Sequence, residues 1–289
     1  MGKADRNRNE SARAWIAAQQ EAARRAEARR RTLLVGGAVV VVLVIVLAIV
    51  LSKVLSTSSS PPAGPSAEQL PASVQSEIMT VPASTLSAVG TGSVPSGSLR
   101  ALTGAPLTSG GKPEMLYIGA EWCPYCAAER WAMAVALSRF GTFSPLRGIH
   151  SSSSDVYPNT STLTFYKSTY TSKYLVFTPV ESEDVNRNAL QPPTAAQQAL
   201  WTKYDPPGDT FPFMDFGNRF LATVTYNPGV LQGLTWSQIA SDLHNPSSAV
   251  AKGAVGSANV FTAAICKLTG NAPASVCTTA PVSSLEAGL

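Results

Sequence analysis

One stretch in the middle of the chain decides the fold, Met115-Leu116-Tyr117-Ile118-Gly119-Ala120-Glu121-Trp122-Cys123-Pro124-Tyr125-Cys126. Its first six residues are mostly apolar, and such a short run suits a strand that is buried on both faces of a sheet. Pro124 begins a helical pattern, because proline fits the first position of a helix, where its missing N–H is not needed. A strand, a sharp turn, a cysteine pair and a helix follow one another, which predicts an α/β domain.

The cysteine pair Cys123 and Cys126 stands at the predicted start of the helix. Unpaired backbone N–H groups and the helix dipole stabilise a thiolate there, so Cys123 is the predicted nucleophile and the more exposed sulfur. Cys126, one turn inward, would resolve the mixed disulfide. A zinc site needs a second nearby pair, and the spacing of Cys266 and Cys277 fits one poorly. An inert structural disulfide is the other alternative, although so short a loop gains little stability.

Charged side chains flank the motif. Glu121 and Glu129 are candidate acceptors for the proton of Cys126, and the alternative is that both are solvated surface residues. The only two histidines, His150 and His244, have no sequence context for a Cys–His nucleophile pair, which argues against cysteine hydrolase chemistry.

Two further segments are predicted as parts of the same domain. Residues 211–222 have the pattern of a β-hairpin, with Gly217 and Asn218 as its two-residue turn. A capping box that begins at Thr235 opens one helix, and residues 257–268 form the last helix.

An apolar segment near the N-terminus predicts a membrane span. Residues 33–51 contain no charged side chain, and a helix of about 20 residues rises roughly 30 Å, enough to cross a bilayer. Residues 1–31 have a charge balance of +5, against −1 for the rest of the chain. The positive-inside rule therefore predicts a cytoplasmic N-terminus and an exported remainder. A cleaved signal peptide is the alternative, but this basic segment is long for one and no A-x-A site follows.

The residues around the motif resemble known families. Trp-Cys-Pro-Tyr-Cys after an apolar strand resembles the thioredoxin superfamily, and its dipeptide resembles that of glutaredoxins. The longer stretch 116–131 resembles a narrower bacterial and archaeal family, domain-of-unknown-function family nine-two-nine. That likeness runs from roughly Ile78 to Cys277 and includes the serine run 151–154. It implies a thioredoxin-like fold with insertions and redox chemistry.

The resemblance also implies a role for residues outside the motif. The superfamily carries a cis-proline opposite its cysteines, at the start of a strand that enters a hairpin, and Pro212 fits that position. Phe211 would then present its backbone to a bound substrate, with Trp122 beside it. The alternative is an ordinary trans proline at a strand start.

Cys266 and Cys277 are expected to form a structural disulfide between the last helix and the tail. A second redox pair that relays electrons to Cys126 is the alternative. All four cysteines lie beyond the predicted span, which agrees with an oxidising compartment.

The predicted organisation has five parts: a basic cytoplasmic segment (1–32), a transmembrane helix (33–52), a Ser/Pro/Ala-rich linker (53–80), a thioredoxin-like domain (81–277) and a tail (278–289). We expect a cell-membrane protein that passes the bilayer once and exchanges thiols and disulfides with exported proteins. The alternatives are a non-catalytic scaffold and an electron-relay subunit that docks a membrane redox partner. Neither a cofactor, a metal nor a nucleic-acid partner is implied.

Overall fold

The structure is a computed structural model that describes residues 67–289. The predicted basic segment 1–32 and transmembrane helix 33–52 lie outside the described residues. Within residues 67–289, none of the helices has the length and apolar character needed to cross a membrane.

The described chain is a mixed α/β protein with several sheets. Its strands are β1 (Glu68–Gln69), β2 (Leu99–Ala101), β3 (Thr108–Ser109), β4 (Lys112–Gly119), β5 (Gly141–Ser144), β6 (Arg147–His150), β7 (Ser161–Thr164), β8 (Thr169–Ser172), β9 (Val176–Glu181), β10 (Phe213–Phe216) and β11 (Phe220–Ala222). Its α-helices are α1 (Ala72–Met79), α2 (Ala83–Val89), α3 (Pro124–Ser138), α4 (Ala195–Tyr204), α5 (Trp236–Asp242), α6 (Gly256–Leu268), α7 (Ala274–Cys277) and α8 (Val282–Ala287). A 3₁₀ turn spans Pro228–Leu231, and a π-helical turn at Ala251–Val255 leads into α6.

Strand β4 lies at the centre of the largest sheet. It pairs in parallel with β9 and antiparallel with β10, so that Ile118 lies between Val180 and Phe213. Strands β11 and β2 follow β10 outward, and β3 pairs with the first residues of β4. Two smaller sheets contain β1, β6 and β7, and β5 and β8. The cysteine pair follows β4 directly and therefore lies at one end of the central strand.

The alternating side chains of β4 serve two hydrophobic cores. Met115 and Tyr117 join a large cluster that contains much of α3 and α6. Leu116 and Ile118 join a second cluster with Trp201 of α4. Because successive side chains of a strand point to opposite faces, α3 and α6 cover one face of the sheet and α4 covers the other. The prediction of a strand buried on both faces is confirmed.

The predicted hairpin is also confirmed. β10 and β11 are joined by three residues, 217–219, rather than the predicted two, and the φ angles of Gly217 and Asn218 are 66° and 56°. Two successive residues with positive φ define the turn whose twist matches a β-hairpin, and glycine and asparagine tolerate that region best. The backbone N–H of Asn218 donates to the carboxylate of Asp215 at 2.6 Å, which fixes the turn.

The folded region is longer than the sequence predicted. α1 lies inside the segment expected as a linker (53–80), and its Val74 and Ile78 are buried in the large cluster. α8 lies inside the expected tail (278–289), where Val282 is fully buried. The linker prediction followed from Ser, Pro and Ala content, and it overlooked Val74 and Ile78, which are spaced four residues apart and so share one helical face. The domain therefore extends on both sides of the predicted range 81–277.

Cys266 of α6 and Cys277 of α7 form a disulfide, with their Cα atoms 5.6 Å apart. Replacing both by Ser should lower the melting temperature by several degrees, because closing a loop of this size contributes roughly 2–3 kcal/mol. Thermal unfolding measures the change. Cys123→Ser is the matched control, since it removes a thiol but no cross-link. An unchanged melting temperature in the double variant would contradict the prediction.

Candidate functional site

Cys123 and Cys126 stand where β4 meets α3. Cys123 is the N-cap of the helix, and its sulfur accepts a hydrogen bond from the backbone N–H of Cys126 at 3.3 Å. Pro124 occupies the first turn, as the sequence predicts. Both thiols are free. Among residues 67–289, no three His, Cys, Asp or Glu side chains lie close enough together to hold a metal ion.

The two sulfurs differ less in exposure than the sequence suggests. Cys123 is 3% exposed and Cys126 0% exposed, so the expected nucleophile is itself covered. The cover consists of aromatic side chains, since Trp122, Tyr125 and Phe211 pack against the pair. The sequence analysis overlooked this rim, which depends on Phe211, a residue far along the chain.

The pKa values of the two thiols move in opposite directions. Hydrogen bonding from the Cys126 thiol lowers the pKa of Cys123 below its ordinary value, and the Cys126 N–H and the Arg130 charge add to this against the effect of burial. Burial raises the pKa of Cys126 well above its ordinary value, and the hydrogen bond to Cys123 adds to that rise. The pair therefore has one sulfur prepared to become a thiolate and one held as a thiol.

A buried ion pair lies beneath the motif. Arg130, one helical turn beyond Cys126, donates to both oxygens of Glu181 at 2.8 and 2.6 Å, and Nη2 also donates to the carbonyl of Ala120 at 2.8 Å. Both side chains of the ion pair are 0% exposed. The sequence reasoning missed this pair. A charged residue four positions after Cys126, followed by the mostly apolar residues 131–137, is the signal that points to it.

The two glutamates that flank the motif are buried, which corrects the expectation of solvated side chains. Glu121 accepts a hydrogen bond from Thr164 at 2.6 Å, and burial raises its pKa. Glu129 is fully buried and accepts from the N–H and the hydroxyl of Thr225, at 2.6 and 2.8 Å. Burial raises the pKa of Glu129 to about 8. Neither carboxylate hydrogen-bonds Cys126 in this structure.

The aromatic rim brings the expected substrate-binding residues together. The rings of Trp122 and Phe211 meet edge to face with their centroids 5.9 Å apart. The Phe211–Pro212 bond is cis, as expected, and Pro212 is buried. The indole N–H of Trp122 donates to Glu183 at 2.6 Å, and Arg187 lies 3.5 Å above the Trp122 ring centroid. Trp122 is thus held in place from three sides.

A polar cavity of about 270 Å³ adjoins Trp122. The residues that line it are His150, Ser151, Ser152, Ser153, Ser154, Asn159, Val185, Asn186 and Arg187. The N–H of Ser152 donates to the carbonyl of Trp122 at 2.9 Å, which joins the serine run to the motif. His244 lies elsewhere and contacts the carbonyl of Glu77. The sequence analysis noted the serine run 151–154 as part of the family resemblance but did not predict that it lies beside the cysteine motif.

The fold and the site define an α/β protein with a buried Cys-x-x-Cys pair at a helix start. A family model described as Domain of unknown function (DUF929) matches residues 100–267, more than half of the chain. The chain therefore belongs to this family, and the family resemblance drawn from residues 116–131 is confirmed. The matched range contains the cysteine motif, the ion pair and the hairpin. No curated protein and no solved structure matches the chain.

The buried carboxyl of Glu129 makes stability depend on pH. Its pKa is about 8 in the folded state and about 4.5 by its ordinary value, so the folded protein keeps a proton that the unfolded chain loses. This contribution to stability is complete below pH 4.5 and is lost as pH rises towards 8, by about 1 kcal/mol per pH unit. Glu129→Gln should flatten that slope. Denaturant unfolding at several pH values measures it.

Glu68→Gln, which changes an exposed carboxyl, is the control for this measurement and should keep the wild-type slope. Equal slopes for the wild type and Glu129→Gln would show that Glu129 is ionised in the folded protein at neutral pH.

Proposed function

We propose that this protein is a thiol–disulfide oxidoreductase with a thioredoxin-like domain, and that Cys123 and Cys126 are its catalytic residues. One observation carries the proposal, the geometry of the pair at the helix start: Cys123 is the N-cap and its sulfur accepts from the Cys126 N–H, whereas Cys126 is fully buried. The pKa values of the two thiols, which move in opposite directions, agree with it. Only a thiolate attacks a disulfide, and a resolving cysteine must not compete with the nucleophile for outside substrates. The lowered pKa of Cys123 and the full burial of Cys126 meet these two needs.

The order of the central elements supports a thioredoxin-like fold. The strands run β9, β4, β10, β11 across the sheet, with β4 and β9 parallel and the hairpin antiparallel. One helix follows β4, one precedes the hairpin on the opposite face, and one follows the hairpin. This order resembles the arrangement expected of the thioredoxin superfamily and supports the proposal. The small sheets and α1 then correspond to the insertions that the family resemblance implies.

The reaction needs two exchanges. The Cys123 thiolate attacks a substrate disulfide, which forms a mixed disulfide and releases one substrate sulfur as a thiolate. The Cys126 sulfur, after losing its proton, attacks Cys123, which forms the Cys123–Cys126 disulfide and releases the second substrate sulfur. Two electrons pass from the protein to the substrate. The reverse sequence oxidises a substrate dithiol, and the reduction potential of the pair determines the direction.

Exported thiol-containing proteins are the proposed substrates. Trp122 and Phe211 belong to the aromatic rim over Cys123, and a substrate chain would meet the backbone of Phe211 beside the cis-proline Pro212. The span 33–52 would tether the domain to the membrane, with the N-terminus cytoplasmic. The Cys266–Cys277 disulfide supports an oxidising location, because cytosolic thiols stay reduced. Its sulfurs are buried, which favours a structural role over a relay to Cys126.

Single cysteine variants of the full-length protein test the enzyme. Cys126→Ser removes resolution and leaves attack intact, so mixed disulfides with exported proteins should accumulate. Cys123→Ser should form none, because the sulfur of Cys126 is buried and its thiol is not prepared to ionise. Non-reducing gels, followed by identification of the trapped partners, give the readout.

The variant with both Cys266 and Cys277 changed to Ser is the matched control, and it should keep wild-type exchange at low temperature. Equal adducts from both single variants would overturn the assigned roles. Absence of adducts from either, with partner binding preserved in both, would establish a scaffold instead. A folded but inactive control variant would favour the electron relay.

The proposed topology has its own test. A reporter that is active only outside the cytoplasm should be active when fused after Leu289, and the mature protein should retain the arginine cluster at residues 24–31. Mass spectrometry of the membrane-bound protein identifies the mature N-terminus. A mature chain that begins near residue 55 would replace the anchor by a cleaved signal and leave a secreted protein.

A further inference from the structure

Two buried hydrogen-bond donors beneath the cysteines have no partner among the described residues. They are the hydroxyl of Tyr117 and Nη1 of Arg130, and both side chains are fully buried. A buried donor without a partner costs about 1–3 kcal/mol, and native proteins hold few of them. The two lie near each other, with the Arg130 guanidinium carbon 5.9 Å from the centre of the Tyr117 ring.

Both donors belong to side chains at the contact between β4 and α3, the helix that carries Cys126. Tyr117 belongs to the core cluster on the α3 face of β4, and its hydroxyl lies against Gly119, two residues along the same face. A Cβ atom at Gly119 would stand 2.0 Å from that oxygen, so the hydroxyl fits there only because glycine has no side chain. The φ angle of Gly119 is not in the left-handed region, so the reason for glycine here is space and not backbone conformation. Arg130 follows Cys126 by one helical turn and lies on the same helix face.

We propose that the Tyr117 hydroxyl and Arg130 Nη1 form a donor pair for the Cys126 sulfur when that sulfur is a thiolate. The inference rests on the proposed thiol–disulfide exchange and assigns Tyr117 as a further catalytic residue. When a substrate thiolate attacks Cys123 of the closed pair, the Cys123–Cys126 bond breaks and its electrons move to the Cys126 sulfur. The new thiolate accepts hydrogen bonds from both donors, and no proton has to move in that step.

The charged and titratable groups around the Cys126 sulfur agree with this role. They are Cys123 and Arg130 on α3 and Tyr117 on β4, with Glu181 of β9 paired to Arg130. Burial raises the pKa of Tyr117 and of Cys126; the charge of Cys126 adds to the rise at Tyr117, and Arg130 opposes the rise at both groups. In the structure Cys126 is a free thiol and both donors are unpaired.

Tyr117→Phe tests the proposal, because it removes one oxygen and keeps the ring. In a Cys123→Ser background only Cys126 titrates as a free thiol, and its thiolate is followed by ultraviolet absorbance against pH. Loss of a hydrogen bond to a charged sulfur should move the titration midpoint upward by about 1–2 pH units. In the two-cysteine protein, opening of the Cys123–Cys126 disulfide by a small thiol should slow about tenfold or more.

Stability separates this role from a structural one. The Tyr117 hydroxyl has no partner in the thiol form, so Tyr117→Phe should keep the melting temperature of the reduced protein or raise it. Tyr226→Phe is the control, since Tyr226 is equally buried but donates to the carbonyl of Ala128 at 2.6 Å. That variant should lose stability and leave the Cys126 titration unchanged. An unmoved midpoint in Tyr117→Phe, or a midpoint moved equally in both variants, would overturn the proposal.

The double variant Arg130→Met, Glu181→Gln tests the other donor without leaving an unpaired charge. It should raise the Cys126 midpoint further than Tyr117→Phe alone, because it removes a charge as well as a donor. If this double variant has a native circular dichroism spectrum and its Cys126 midpoint rises no more than that of Tyr117→Phe, Arg130 is not a donor to the Cys126 thiolate. The titrations do not require a substrate, so they remain decisive even where the trapping gels show no exchange with exported proteins.

Discussion

The ion pair between Arg130 and Glu181 is the interaction on which the site depends. It joins the cysteine helix to the end of the parallel strand β9, and the bond from Arg130 to the carbonyl of Ala120 joins both to the end of β4. Burying two charges carries a large desolvation penalty, which is offset when the geometry is good and further hydrogen bonds are made. Removing one partner typically costs about 3–5 kcal/mol, because a buried charge is left alone.

That pair also determines the electrostatics of the motif. The Arg130 charge adds to the lowering of the pKa of Cys123 that hydrogen bonds from Cys126 cause, and at Cys126 it opposes the larger rise that burial causes. Its partner Glu181 belongs to β9. Two donors beside the ion pair, Nη1 of Arg130 and the Tyr117 hydroxyl, have no hydrogen-bond partner among the described residues. The same buried side chains thus hold the helix against the sheet and include two unpaired hydrogen-bond donors. A structural role explains the bonds that are made, and the proposed chemistry at Cys126 would explain those that are not.

The sequence predicted the features whose signals are local. Strand β4, the start of α3 at Pro124, the Gly217–Asn218 hairpin and the capping box at Thr235 each depend on a few adjacent residues, and all are present. The ion pair joins residues 51 apart in the chain, and the bond between Glu129 and Thr225 joins residues 96 apart. Tertiary packing brings such partners together, and it leaves no recognisable pattern in the sequence near either residue. Glutamate is rarely buried alone, so a sequence argument places it at the surface.

Burial and reactivity of the cysteines would oppose each other if desolvation were the only effect, because desolvation raises the pKa of any thiol. The pKa of Cys123 is not raised in this way, because its sulfur accepts a hydrogen bond from the N–H of Cys126 and lies at the N-terminus of α3. A hydrogen bond is electrostatically stronger in a medium of low dielectric, so the aromatic rim that covers Cys123 strengthens the very interactions that favour its thiolate. At Cys126 burial outweighs the Arg130 charge and the backbone hydrogen bond of Ala120, both of which lower the pKa. Enclosure therefore enlarges a small difference in local geometry into opposite pKa shifts of two cysteines three residues apart.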